Sequence, residues 1–342
     1  MPRTFPAAAA LAATLLAAGG ASAQPVAEFY RGKQVTLILS TGAGGGYELY
    51  ARPLARALPK YIPGEPNVIV QNMEGGGGLR AMNFLFNAAP RDGLTIGMVH
   101  NTVAFAPLHG VTQAKFDATK LNWLGTMNQE GTACMVWHKA KVQSFDDLFR
   151  HEYIAGSTGP GSDMSIYALA LNNLQSTKIK LVGGYKGANN IYLAMENGEV
   201  DGRCGTAVSG MRGVRPHWFE QNLIRFVVQT ATEPGDDPAL KGVPLIIDRA
   251  KNDDERAVWR FLFAAQTMMR PVLTPPGVPA DRVAALHDAL KAVMTDATFV
   301  AELKKTFSEV RYLPGPAVQR HVAEIYATPE RVRKLAEKAT HP

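Results

Sequence analysis

The sequence predicts an α/β protein of two lobes, each with a mixed, mostly parallel sheet and flanking helices, and three observations carry that prediction. An apolar strand-like run, a glycine-rich loop and a helical run follow one another four times. The four units fall into two pairs separated by other elements, and strand–loop–helix units in series build parallel sheets through right-handed crossovers. The chain of 342 residues, less a leader of 23, is also long enough for two cores.

The leader is Met1-Pro2-Arg3, an apolar run from Ala7 to Ala18, and Ala21-Ser22-Ala23, the small-x-small pattern after which signal peptidase cuts. Residues 1–23 therefore read as a Sec signal peptide. The run is shorter than the roughly 20 residues that cross a bilayer, no twin-Arg pair precedes it, and no Cys stands near the cut to carry a lipid. A periplasmic protein without a lipid anchor is expected. Removing Arg3 takes the formal charge from +6 to +5, with Lys and Arg spread along the chain. That balance mildly favours small anions and argues against nucleic acid.

Val35 to Leu39 is the first strand, Gly42 to Gly46 the first loop, and Leu49, Leu54, Leu58 and Tyr61 give the following run its helical spacing. Pro53 removes one backbone bond from that helix and predicts a bend. Asn67 to Met73 is the second strand, Glu74 to Leu79 the second loop, and Met82, Leu85, Phe86 and Ala89 mark the second helix. After the turn Pro90 to Gly93, Leu94 to His100 is a third strand. Thr132 to Leu148 reads as a strand followed by a helix start at Ser144, and the first crossing into the second lobe is placed there.

Tyr153 to Leu174 is the third unit, with Ser162 or Asp163 as the helix N-cap. Ile179 to Gly205 is the fourth, its helix ending at Asn197-Gly198 before a strand from Val200 to Cys204. Leu223 to Ala231 reads as a strand and the return crossing. The expected lobes are thus 24–131 plus 225–342, and 132–224, hinged near Thr132 to Trp137 and Leu223 to Thr230. The run from Arg260 reads as a buried strand, a Pro-rich turn, and a helix opening near Pro279-Ala280-Asp281. Thr328 to Ala339 reads as a charged, solvated helix.

Cys134 and Cys204 are the chain's two cysteines. In an oxidising compartment they read as one disulfide between distant segments, the other reading being two separate buried thiols. Neither has a Cys or His at metal-ligand spacing, and no metal or cofactor is expected.

Successive N–H groups at a helix start, with no side chain in the way, form an anion site. In an open parallel sheet the four loops lie at the carboxyl ends of the strands and face one crevice. Phosphate chemistry is disfavoured because Tyr47-Glu48, not Lys-Ser/Thr, follows the first glycines. The sixth position of a dinucleotide fingerprint is Tyr47 or Arg80 instead of Gly. No Gly-x-Ser-x-Gly elbow occurs, Ser209 having Gly on one side alone. The eight histidines form no His-Glu-x-x-His pair, and His100 and His138 read as structural. A carboxylate is the ligand that remains. Its candidate contacts are Ala43, Gly44, Gly45, Gly46 and Tyr47 in the first loop, and Gly76, Gly77, Gly78 and Leu79 in the second. Ser157, Thr158, Ser162 and Tyr185 belong to the other lobe. Asn72, Asn101, Arg203 and Thr206 complete the set.

These segments in this order, with "GKQVTLILSTGAGGGYELYARPLARAL", "VIVQNMEGGGGLRAMNFLFNAAPRDGLTIGMV", "AGSTGPGSDM", "YKGANNIYLAMENGEVDGR" and "TPPGVPADRVAALHDALKAVM", resemble the Bug-type solute-binding proteins of tripartite tricarboxylate transporters. The resemblance implies a periplasmic-binding-protein fold of the Venus-flytrap type (type II) that closes on a small carboxylate. It implies delivery to a large and a small membrane subunit, without catalysis, by a monomer. It implies further that Gly42 to Tyr47 and Gly75 to Leu79 grip one carboxylate, partly through ordered water. The Ser157 and Ser162 region and Tyr185-Lys186-Gly187 would close over the far end. Tyr47-Glu48 replaces the Thr-Asp of many members. Arg203 suits a second carboxylate if it points inward and is a strand-end surface residue if it points outward. The ligand is thus a di- or tricarboxylate, or an aromatic acid. An exported enzyme acting on an anion in the same cleft, and a sensor subunit, are the alternative classes.

Overall fold

The computed structural model describes residues 25–306 and 310–341; the signal-peptide reading of residues 1–23 lies outside them. Among the described residues, eleven strands form two sheets. The first has the order β2-β1-β3-β10-β4-β11, from β1 (Gln34–Leu39), β2 (Asn67–Asn72), β3 (Thr95–Met98), β4 (Asn122–Asn128), β10 (Met269–Thr274) and β11 (Leu313–Pro314). The second has the order β7-β6-β8-β5-β9, from β5 (Thr132–Trp137), β6 (Tyr153–Gly156), β7 (Ile179–Val182), β8 (Gly202–Thr206) and β9 (Ile224–Thr230).

Helices Glu48–Ala57 and Leu79–Asn87 follow β1 and β2, and helices Asp163–Gln175 and Ala188–Glu196 follow β6 and β7. Each unit is local, because the helix lays its apolar stripe on the sheet its own strand enters. In the first of these helices Tyr50, Ala51, Leu54 and Ala55 are buried, with Pro53 inside it. Parallel pairing is confined to the strands of these units: β1 with β2 and β3, β6 with β7 and β8. The other pairings are antiparallel. The sheets are therefore mixed, with less parallel pairing than the repeated units suggest. The reason is the short link 129–131, which carries the chain directly from β4 in one sheet to β5 in the other.

β9 pairs along its length with β5, from Thr132↔Thr230 to Trp137↔Ile224. The strand expected to return at 225 thus belongs to the second sheet, and the chain leaves that sheet after Thr230. The buried strand expected from Arg260 is also shorter. Asp253–Phe263 is a helix, opened by Asn252, whose side chain accepts from the Glu255 amide at 2.9 Å. Its Trp259 and Phe263 stack one turn apart, with centroids separated by 5.4 Å, and the strand begins only at Met269.

The C-terminal helix Glu330–Thr340 packs on Asp163–Gln175, on Asp253–Phe263 and on the Asn101–His109 segment. Ala336, Ala339 and Thr340 are buried there, and Asn173 Nδ2 donates to Ala339 O at 3.0 Å. One face is packed, in contrast to the solvated helix expected, because its small residues let three segments meet it closely. Cys134 and Cys204, in the adjacent strands β5 and β8, form a disulfide and are fully buried.

Candidate functional site

The glycine loops of the two sheets meet. The Gly42 amide donates to Lys186 O at 3.1 Å, the Gly77 amide to Thr158 O at 3.0 Å, and the Gly161 amide to Gly76 O at 3.2 Å. Gly77 has φ +70°, and a Cβ there would stand 2.5 Å from the Ser162 amide nitrogen. Backbone meets backbone at a distance no side chain permits. Gly44 donates instead to Glu48 Oε2 at 2.6 Å, Glu48 being paired also with Arg52, and Gly78 donates to Gly75 O at 3.0 Å. The expectation that these loop amides point at an anion is therefore corrected at Gly44, Gly77 and Gly78. Their donors are engaged within the protein.

What the loops enclose is a cavity of about 60 Å³. Of the expected contacts, Gly45, Gly46, Tyr47, Gly77, Gly78, Thr158 and Arg203 line it. The rest sit around it. Ala43 and Gly44 are exposed, Gly76 joins the loop-to-loop contact, and Leu79 packs in the core. Asn72 Nδ2 donates to Thr41 O at 2.8 Å, tying the second strand to the first loop. Ser157, Ser162 and Ser165 bond to one another and to Gly159, which shapes the loop before helix Asp163–Gln175. Tyr185 contributes its amide to Ser157 O at 3.2 Å. Thr206 lies buried in β8, outside the lining.

Tyr47 forms one wall. Its hydroxyl donates to Asn101 Oδ1 at 3.2 Å and accepts from the Asn101 amide at 3.1 Å, and its ring stacks on His100 at 5.3 Å between centroids. Burial pushes the phenol up to about 12, so the ring is a neutral, fixed surface. Asn101 is thus a support for Tyr47 rather than a lining group.

The charged lining is what the sequence left largely unread. Arg203 points inward, its Nη2 donating to Gly205 O at 2.7 Å and its Nε to Cys204 O at 3.3 Å. Arg270 is 2 % exposed and lies over the rings of Tyr50 and Tyr47, at 4.5 and 5.6 Å. Its φ is +56°, a conformation costing a non-glycine residue about 1–2 kcal/mol. The residue lies within β10, and its side chain lines the cavity. Nη1 stands 3.5 Å from Glu130 Oε2 without hydrogen-bond geometry, and neither Nε nor Nη1 makes a hydrogen bond.

Opposite it, His100 Nε2 from the first lobe lies 3.3 Å from Asp163 Oδ1 at the start of the second-lobe helix. Burial lowers the imidazole and raises the carboxyl. Gly205 makes that approach possible: with φ +65°, a Cβ there would fall 2.4 Å from Asp163 Cγ. Asp163 is not an N-cap, since it is the first residue of the helix. The His100 ring bonds through Nδ1 to Thr102 Oγ1 at 3.0 Å, and its backbone amide donates to Ser40 Oγ at 2.8 Å.

Two lobes whose loops interlock over one buried, arginine-lined cavity define a two-lobed solute-binding protein. The sequence profile of the tripartite tricarboxylate transporter family receptor matches residues 51–337, and the chain belongs to that family. Its members are receptors, not enzymes. No curated protein matches the chain significantly. Among solved structures, the chain is similar to the periplasmic binding protein BugD, with TM-score 0.70 and 16% identity, covering 91% of this chain and 98% of that one. It is similar to MatC from Rhodopseudomonas palustris with bound malate, with TM-score 0.68 and 16% identity over 90% and 99%. An R. palustris protein solved with adipate gives TM-score 0.64 and 19% identity over 89% and 97%.

Proposed function

We propose that this receptor captures a small organic carboxylate between its lobes in the periplasm and delivers it unchanged to the large and small membrane subunits of a tripartite transporter. One observation carries the choice of ligand. Two buried arginines, Arg203 and Arg270, line the cavity, and with Glu130 standing beside only one of them the pair favours an anion between the lobes. The malate and adipate held by the similar proteins support the same class. The lobes swing about two crossings, the link 129–131 and the segment between Thr230 and Met269, and a single chain suffices because both walls of the cavity come from it.

The test is a thermal-shift screen on the mature protein with short carboxylic acids and neutral sugars. The expected result is stabilisation by at least one acid, which is then recovered chemically intact. A response to neutral sugars alone, or turnover of the acid, would contradict the proposal.

A further inference from the structure

The charges around the cavity can be counted. Arg203 and Arg270 are two cations. Glu130 is one carboxylate, accepting from the Ser209 amide at 2.9 Å, from Ser209 Oγ at 2.5 Å and from Asn128 Nδ2 at 3.1 Å, and standing beside Arg270. Lys186 reaches the rim but is exposed to water, and Glu48 is paired with Arg52. The remaining ionisable groups at the wall are His100 and Asp163, flanked by the rings of Tyr47 and Tyr192.

Hydrogen-bond accounting fixes the charge of that pair. Thr102 Oγ1 donates its single proton to Gly161 O at 3.0 Å, so toward His100 Nδ1, also at 3.0 Å, it can only accept. Nδ1 therefore carries the imidazole proton, and a neutral ring presents a lone pair at Nε2. That lone pair faces Asp163 Oδ1 at 3.3 Å, an oxygen with no other hydrogen-bond partner. Two buried acceptors face to face repel, and one shared proton turns the repulsion into a hydrogen bond. The shared proton makes the pair neutral whichever atom holds it, and burial, which raises Asp163 and lowers His100, acts toward the carboxyl. The wall as a whole then carries one uncompensated positive charge.

We infer that the acid taken by this cavity is a monoanion: a small monocarboxylate, seated on Arg270, rather than a di- or tricarboxylate. This rests on the carboxylate-receptor reading and narrows it. A single carboxylate neutralises the wall where Arg203 and Arg270 line it. A second carboxylate would bring an unpaired negative charge into the same enclosure, beside Glu130. Glu130 is the residue that holds the count at one.

The experiment is isothermal titration at neutral pH of the wild-type protein and Glu130→Gln with short monocarboxylates, each matched to the dicarboxylate of the same chain length. For the wild type, the tightest monocarboxylate should bind at least about tenfold better than its dicarboxylate partner, a gap of about 1.4 kcal/mol. Glu130→Gln raises the wall charge by one and should move that ratio at least about tenfold toward the dicarboxylate. A wild-type preference for the dicarboxylate, or a ratio that Glu130→Gln leaves in place, overturns the inference while the receptor reading stands. Binding of no acid by either protein overturns both.

Discussion

At the scale of single residues, the site is an arginine held open and a proton held shut. Arg270 sits in the run "AAQTMMRPVL", where a lone cation among apolar residues was the available signal, since Arg is rarely fully buried without a partner. Its aim was not legible, because a positive φ within β10 leaves no mark in the local sequence. Asp163 was legible only as a residue at a helix start; its contact with His100 depends on Gly205, far along the chain. Arg270→Gln should lower acid affinity by about a hundredfold, the loss of roughly one to two charge-assisted bonds at 1.5–3 kcal/mol each, with the fold retained by circular dichroism. The proton predicts a pH dependence. When the lobes part, water returns His100 and Asp163 to ordinary behaviour, near 6.5 and 3.9. Below about pH 6.5 the histidine already carries the proton the closed pair needs, and affinity should be flat. Above it the proton must come from solvent, and affinity should fall by up to about tenfold per pH unit. Titrations in buffers of different ionisation enthalpy should show uptake approaching one proton, and Asp163→Asn should abolish that uptake.

At the scale of elements, the strand–loop–helix units were legible because each is local: a β-branched run, glycines, then an apolar stripe at helical spacing. The role of the glycines was legible only in part. A sequence shows which amides are unencumbered but not what faces them, and here opposing backbone takes several of them. Gly77→Ala should therefore cost little in the fold of the lobe itself but keep the loops apart. Acid affinity should drop at least about tenfold, while the melting temperature without ligand moves by only the equivalent of the roughly 1–2 kcal/mol of left-handed strain. Unchanged affinity would mean that the loops need not touch for capture. The membership of β9 in the second sheet was hidden for the same reason, since pairing over a long separation leaves no local mark. In the second sheet, replacing both Cys134 and Cys204 with Ser should lower unfolding stability by about 2–4 kcal/mol, measured by denaturant titration under oxidising conditions.

At the scale of the whole molecule, the cavity exists only when the lobes are together. His100 and Asp163, Gly42 and Lys186, Gly77 and Thr158 come from opposite sides. Near the crossing, Gln266 Nε2 donates to Thr230 O at 2.6 Å and the Glu130 amide donates to Gln266 O at 3.3 Å, tying the two connections into one knot. The C-terminal helix touches the Asn101–His109 segment of one lobe and the Asp163–Gln175 helix of the other, so opening is expected on the glycine-loop side. Capture should shrink the molecule, and small-angle scattering should record a smaller radius of gyration with acid than without. The two-lobed plan followed from the paired units, whereas the crossings did not, because 129–131 is too short to leave a compositional signature. The most direct test of the central claim is a crystal structure of the protein with its acid bound. The account predicts one carboxylate between the lobes with an oxygen within about 3.2 Å of the Arg270 guanidinium. A carboxylate lodged on the exposed Gly44 side of the first loop, with Arg270 untouched, would contradict it.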